Sequence, residues 1–129
     1  MDAKDLMIGD WVNFPIDSIG GETEYDSQTT EYQPMRIISI SAWNNNDGEV
    51  ESAEGVINDI DQVKPIPLTA EILEKNGWFS LGEYRYEGDI ALAKGRNYFR
   101  LKNTTICIDS VHGLQHALRL CGINKEIEI

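Results

Sequence analysis

The sequence predicts an α+β protein in two parts. The first, residues 1–66, is a β-rich part forming a small barrel or a strongly bent sheet. The second, residues 67–129, is an antiparallel β part carrying two helices, and the two parts can share one core. Three observations lead to this. Four or five short strand-like runs, separated by turn residues, fill about the first 60 positions. The string Lys64-Pro65-Ile66-Pro67 interrupts the chain near its middle. Beyond it, apolar residues recur at helical spacing twice, with strand-like runs between. At 129 residues the chain can bury roughly two thirds of its unfolded surface, which supports a core without disulfide or metal staples.

The first run, residues 11–14, follows the Gly9-Asp10 turn pair and is expected to close at Pro15. Residues 17–33 are polar and acidic and predict a long loop. Residues 35–43 form the clearest strand, with Ile38, Ile40 and Ala42 on an apolar face and Ile37, Ser39 and Ser41 on a mixed one. Asn44-Asn45-Asn46-Asp47-Gly48 predicts a hairpin turn in which Gly48 supplies a positive φ, and residues 49–52 return. Residues 55–57 predict a further strand, and residues 58–62 a turn into Val63.

In the second part Thr69 can cap a short helix, because its hydroxyl accepts a free amide of the first turn. Glu71 lies near the positive end of the helix dipole and pairs in register with Lys75. Asn76-Gly77 ends the helix, while Ile72, Leu73, Trp78 and Phe79 are expected in the core. Residues 84–86, 90–93, 98–101 and 104–108 predict strands. Asp109 or Ser110 can cap a final helix whose apolar stripe is Val111, Leu114, Ala117, Leu118 and Cys121, stopped by Gly122. Residues 126–129 alternate like an edge strand that pairs within the fold or across a dimer.

Charge is distributed unevenly. Between Asp17 and Gln62 there are eleven carboxylates and one cation, Arg36, a balance of −10 against −11 for the whole chain. Such a region repels nucleic acid and anionic membranes and attracts a basic protein surface. Acids occupy the N-terminal stretch where a secretory signal needs cations, and no run approaches a membrane span. Cys107 and Cys121 are too few for a disulfide framework and too far apart for a CxxC motif, which fits reduced thiols in the cytoplasm. Both are expected to be buried.

The chain shows no nucleophile elbow, no phosphate-binding glycine loop and no Cys-His signature, so neither catalytic residues nor a cofactor are predicted. His112 and His116 share a helical face, as zinc ligands would, but no Glu follows the first His and Arg119 projects nearby. The helical wheel turns both rings to solvent. Asn45, Asp47, Gly48 and Glu54 match part of a calcium loop whose first ligand position is Trp43, which cannot bind a hard cation. Lys94, Arg96, Arg100 and Lys102 interleave with Tyr98 and Phe99. That pattern can track phosphates, or can be an exposed hairpin with its aromatics in the core. Trp11, Trp43 and Trp78 are ordinarily core residues, although Trp43, beside the Asn-rich turn, can instead serve as an exposed anchor for a partner.

Three strings carry a resemblance: Leu6-Met-Ile-Gly-Asp-Trp-Val12, Val63-Lys-Pro-Ile-Pro-Leu-Thr-Ala-Glu-Ile-Leu-Glu-Lys-Asn-Gly77 and Val111-His-Gly-Leu-Gln-His-Ala-Leu118. Together they resemble a family of small uncharacterised proteins of gut anaerobes and of their prophages and conjugative elements. The resemblance spans both ends and the middle of the chain and leaves out residues 17–33. It implies no catalytic residue, and members often carry Asn at the position of His116. Separately, Gly9-Asp10-Trp11-Val12 is similar to the first strand of SH3-like barrels.

The expectation is therefore a non-enzymatic protein-binding or adaptor protein of phage or mobile-element origin, whose partner presents a basic surface. Its candidate contacts are Glu22, Glu24, Asp26, Glu31, Trp43, His112 and His116. Two alternatives remain at this level: an acidic DNA-mimic inhibitor of a nuclease or DNA-binding protein, and a metal-dependent enzyme using His112 and His116.

Overall fold

Residues 5–16, 31–43, 47–82 and 85–129 are described by a computed structural model. The protein is α+β: its described residues form two five-stranded antiparallel sheets and two α-helices, and the chain divides into the units Met1–Pro65 and Ile66–Ile129.

The first unit contains β1 (Trp11–Ile16), β2 (Glu31–Ala42), β3 (Gly48–Ser52), β4 (Ile57–Asp59) and β5 (Lys64–Pro65), and the 3-10 turn Ile60–Gln62 precedes β5. The strand order is β4-β3-β2-β1-β5. The described residues form no closed barrel. Pro15 does not end the first strand but lies within it, opposite Tyr32. On the other side of β1, β5 reaches only Val12 and Asn13, so proline's missing amide falls where β1 has just one neighbour. Residues 31–33, expected in the loop, are instead the start of β2.

The long strand β2 departs from its predicted facing. Ile37 pairs with Ser52 and Ser39 with Glu51, so Ile38 is an extra residue that shifts the register. A bulge of one residue reverses which side chains face inward. Met35 and Ile37 are buried before it and Ile40 is half-buried after it, while Ile38 is 49% exposed and Ala42 is also exposed. The expected apolar face of Ile38, Ile40 and Ala42 is thus corrected, because uninterrupted alternation cannot register an inserted residue. Met35 and Ile37 pack with Leu6, Val12, Phe14, Val50, Ile60 and Val63 in the core of this unit.

Gly48 is required for space rather than for a positive φ, which it does not adopt. A Cβ there would stand 2.8 Å from both Ala42 Cα and Ile60 Cδ1 and would overlap the Ser41 carbonyl. The turn after β3 is closed at Ser52, whose buried hydroxyl accepts the Val56 N–H at 3.1 Å. Gly55 takes φ 87° in that turn, so the strand expected over 55–57 begins only at Ile57.

The second unit contains α1 (Ala70–Lys75), β6 (Phe79–Ser80), β7 (Arg85–Glu87), β8 (Leu92–Lys94), β9 (Phe99–Leu101), β10 (Cys107–Ile108) and α2 (Val111–Leu120), with sheet order β10-β9-β8-β7-β6. Thr69 caps α1 by accepting the Ile72 N–H, and Ser110 caps α2 by accepting the Gly113 N–H. Both helices end the same way. Gly77 (φ 98°) and Gly122 (φ 74°) take the left-handed conformation, and the next residues, Trp78 and Ile123, donate back to the carbonyls of Leu73 and Leu118. The indole N–H of buried Trp78 donates to the Ile90 carbonyl at 2.9 Å.

Other expectations for this unit are corrected. Phe79 is 55% exposed, because it lies on the outer side of β6, opposite Glu87. Cys107 and Cys121 are exposed free thiols. Cys107 faces outward beside Arg100, and Cys121 is the C-cap of α2, past its buried turns. Residues 126–129 form no strand. The Asn76 side chain takes the place of a neighbouring strand there: its Nδ2 donates to the Glu128 carbonyl and its Oδ1 accepts the Glu128 N–H, each at 2.8 Å. Ile127 is buried at this dock.

Candidate functional site

On β2, β3 and β4 the inward row Ile40, Val50 and Asn58 is mostly apolar, and the outward rows carry three carboxylates. Ser41, Glu49 and Asp59 stand opposite one another in one row, and Ser39, Glu51 and Ile57 in the next. Strand pairing therefore gathers Glu49, Glu51 and Asp59 on the outer side of the sheet where β2, β3 and β4 run side by side. None of the three is ion-paired with a described cation. Glu49 and Asp59 are directly opposite each other, a like-charge cross-strand pair that costs the sheet stability.

Two large apolar side chains accompany these carboxylates in the first unit. Ile57 is 56% exposed on the same outer face, and Trp43 is 70% exposed directly after β2. Backbone pairing holds Trp43 in place, its N–H donating to the Asp47 carbonyl at 2.9 Å, while its ring is left to solvent. An exposed indole on a hydrogen-bonded backbone, with carboxylates that lack a described cation partner in the same unit, suits a cationic, partly apolar protein surface.

Of the predicted contacts, Glu22, Glu24 and Asp26 lie outside the described residues. Glu31 is exposed as the first residue of β2, paired with Ile16. Ten further residues of β2 separate Glu31 from Ala42, so the strand keeps Glu31 and Trp43 at opposite ends. His112 and His116 belong to the second unit.

The solvent-facing expectation for the histidines is corrected. His112 is buried and His116 half-buried, with their ring centroids 5.7 Å apart and nearly perpendicular. The wheel assumes a single buried face, but burial at the start of α2 runs around the helix and includes Gln115. Among the described residues no group of three or more His, Cys, Asp or Glu side chains is placed to hold a metal ion. The partial calcium-loop match does not gather ligands either. Asp47 and Glu54 flank the extended strand Gly48–Ser52, which spans roughly 17 Å at the usual rise.

The basic string of the second unit is divided by its hairpin. Phe99 is buried, while Arg100 and Lys102 are exposed on the outer side of the sheet. Lys94 and Arg96 instead border a separate cavity near the start of α1. Among the described residues, no helix is long and apolar enough to cross a membrane.

Glu49, Glu51 and Asp59 were not among the predicted contacts. The alternation Glu49-Val50-Glu51 did signal one acidic strand face. Adding Asp59 required the pairing register, which no local pattern contains. Comparison with protein-family models, with curated proteins and with solved structures gives no match.

Proposed function

We propose that this protein is a non-enzymatic protein-binding module whose partner presents a basic surface. The observation that carries the reading is the directly opposed, uncompensated pair Glu49 and Asp59, beside exposed Ile57 and Trp43. Asp59 also caps the 3-10 turn Ile60–Gln62, but that role does not require Glu49 opposite it, and a like-charge pair that costs the sheet stability is expected where a binding surface needs it. The first unit is, in this reading, an SH3-like barrel. Its support is the order β4-β3-β2-β1-β5, the bulge that bends β2 between its two partners, and the 3-10 turn leading into β5. The exposed thiols of Cys107 and Cys121 support a reducing, cytoplasmic setting. A place among mobile-element proteins of gut anaerobes rests on the three resembling strings.

The test is site-specific photo-crosslinking in the native host. A photoreactive phenylalanine analogue replaces Trp43 in one sample and Lys75, in the second unit, in another. A discrete partner crosslinked from position 43 and absent from position 75 supports the reading. An equal set of products from both positions, or none from position 43, overturns it.

The acidic DNA mimic is the second reading. It is favoured by Glu49, Glu51 and Asp59 lying on strands, where their spacing is fixed, rather than on loops. Identification of the position-43 partner as a nuclease or other DNA-binding protein, released by competing duplex DNA, selects this reading over a general adaptor.

A further inference from the structure

The second unit carries the opposite charge on its outer sheet face. Arg85, Ala93 and Arg100 stand in one row across β7, β8 and β9. Directly opposed residues point to the same side of a sheet, so both guanidinium groups flank the small side chain of Ala93. Two strand spacings put their backbones about 10 Å apart. The result is an open groove of about 570 Å³, bordered by these three residues, by Lys102 and by the turn Asn103-Thr104-Thr105. Its size is that of a small-molecule site.

The chain has 22 acids and 11 Lys and Arg, so a cation on its surface usually has a carboxylate to meet. The described residues that line this groove include three cations and no carboxylate, and only Arg85 among the three is ion-paired with a described acid. Neither Arg100 nor Lys102 makes an ion pair with a described carboxylate. Arg85 is held by Glu87, Nη2 to Oε1 at 2.9 Å, which orients its guanidinium and leaves further N–H donors unused. Neutral donors come from the Asn103 amide and the Thr105 hydroxyl. Asn103 holds its place in the turn at φ 66°, and the Thr104 hydroxyl is bonded to the Leu101 carbonyl.

We propose that this groove binds a compact phosphate-bearing small molecule, with a phosphate seated over Ala93 between the forks of Arg85 and Arg100. Guanidinium groups match phosphate oxygens two at a time, and Lys102 adds a point charge at the rim. Nucleic acid is the poorer occupant, because the described lining contains no aromatic ring on which a base could stack. The proposal concerns the second unit alone and stands independently of the partner-binding reading of the first.

The probe is inorganic tripolyphosphate, titrated calorimetrically into the full chain at low ionic strength. The variants are Arg100→Gln, Ala93→Leu, which fills the notch and leaves every charge in place, and Arg96→Gln, which removes the same charge in the β8–β9 turn. Wild type is expected to bind at one site. Arg100→Gln and Ala93→Leu should each weaken binding by about tenfold or more, and Arg96→Gln by less than about twofold. Absence of binding by wild type at millimolar tripolyphosphate overturns the proposal. So does equal weakening in Arg100→Gln and Arg96→Gln, since that is diffuse electrostatics. Tighter binding of a single-stranded oligonucleotide than of tripolyphosphate overturns the small-molecule assignment.

Discussion

Glu49 on β3 and Asp59 on β4 stand directly opposite each other on the outer face of their sheet, and neither is ion-paired with a described cation. Within the fold the pair is a liability, since like charges at this separation repel and neighbouring strands hold them there. Glu49→Lys replaces repulsion with attraction and should stabilise the protein by about 0.5 kcal/mol. The same change should weaken capture of the partner, because it inverts charge at the centre of the proposed surface. Equilibrium urea unfolding and partner capture, measured on the same variant, check the two halves. Lost stability would mean that the pair is held by something other than the sheet.

The bulge at Ile38 separates two adjacent isoleucines into different environments. Ile37 is fully buried and Ile38 is half exposed. Ile37→Ala should cost about 3 kcal/mol, the usual cost of emptying a core site. Ile38→Thr, a surface change, should stay within about 0.5 kcal/mol. Urea unfolding of the two variants compares them directly, and equal losses would contradict the register shift.

Asn76 works in both directions at the end of α1. Its Nδ2 donates to the carbonyls of Ile72 and Glu128, and its Oδ1 accepts the Glu128 N–H. Asn76→Ala removes all three bonds at a buried position and should cost about 2 kcal/mol. Hydrogen exchange should show the Glu128 amide losing protection in this variant, with the amides of β8 and β9 largely unchanged.

Gly48 tests close approach at a hairpin. Gly48→Ala drives a methyl group toward Ala42, the Ser41 carbonyl and Ile60, and should destabilise by about 2 kcal/mol. Adding Ile60→Val, which shortens one of the crowding side chains, should recover only part of that loss, because the backbone of Ser41 and Ala42 remains. Urea unfolding of the single and double variants measures the recovery.

What the sequence made legible follows from how local each determinant is. Thr69, Ser110, Gly77 and Gly122 marked their helix ends because capping is a matter of a few neighbouring residues. The antiparallel pattern of the second unit was legible from its turns. The facing of Ile38 was not, since a bulge exists only relative to a partner strand. Burial of His112 and exposure of Phe79 depend on what covers each element, and periodicity along one element carries no such information. For the candidate surface, the turn beside Trp43 offered exposure only as the alternative to the core position usual for an indole, and the structure leaves it 70% exposed. The acidic row was not legible, because Asp59 joins Glu49 only through pairing across β3 and β4.

The central claim is that the outer face of β2–β4 and Trp43 bind a basic partner. The most direct measurement is the salt dependence of partner capture by three forms: wild type, Trp43→Ser, and the triple variant Glu49→Gln, Glu51→Gln, Asp59→Asn. Capture by wild type should fall steeply with salt, as exposed charge pairs do. Trp43→Ser should weaken capture but keep that slope, and the triple variant should flatten it. Full capture by all three forms, with one common salt dependence, would contradict the claim.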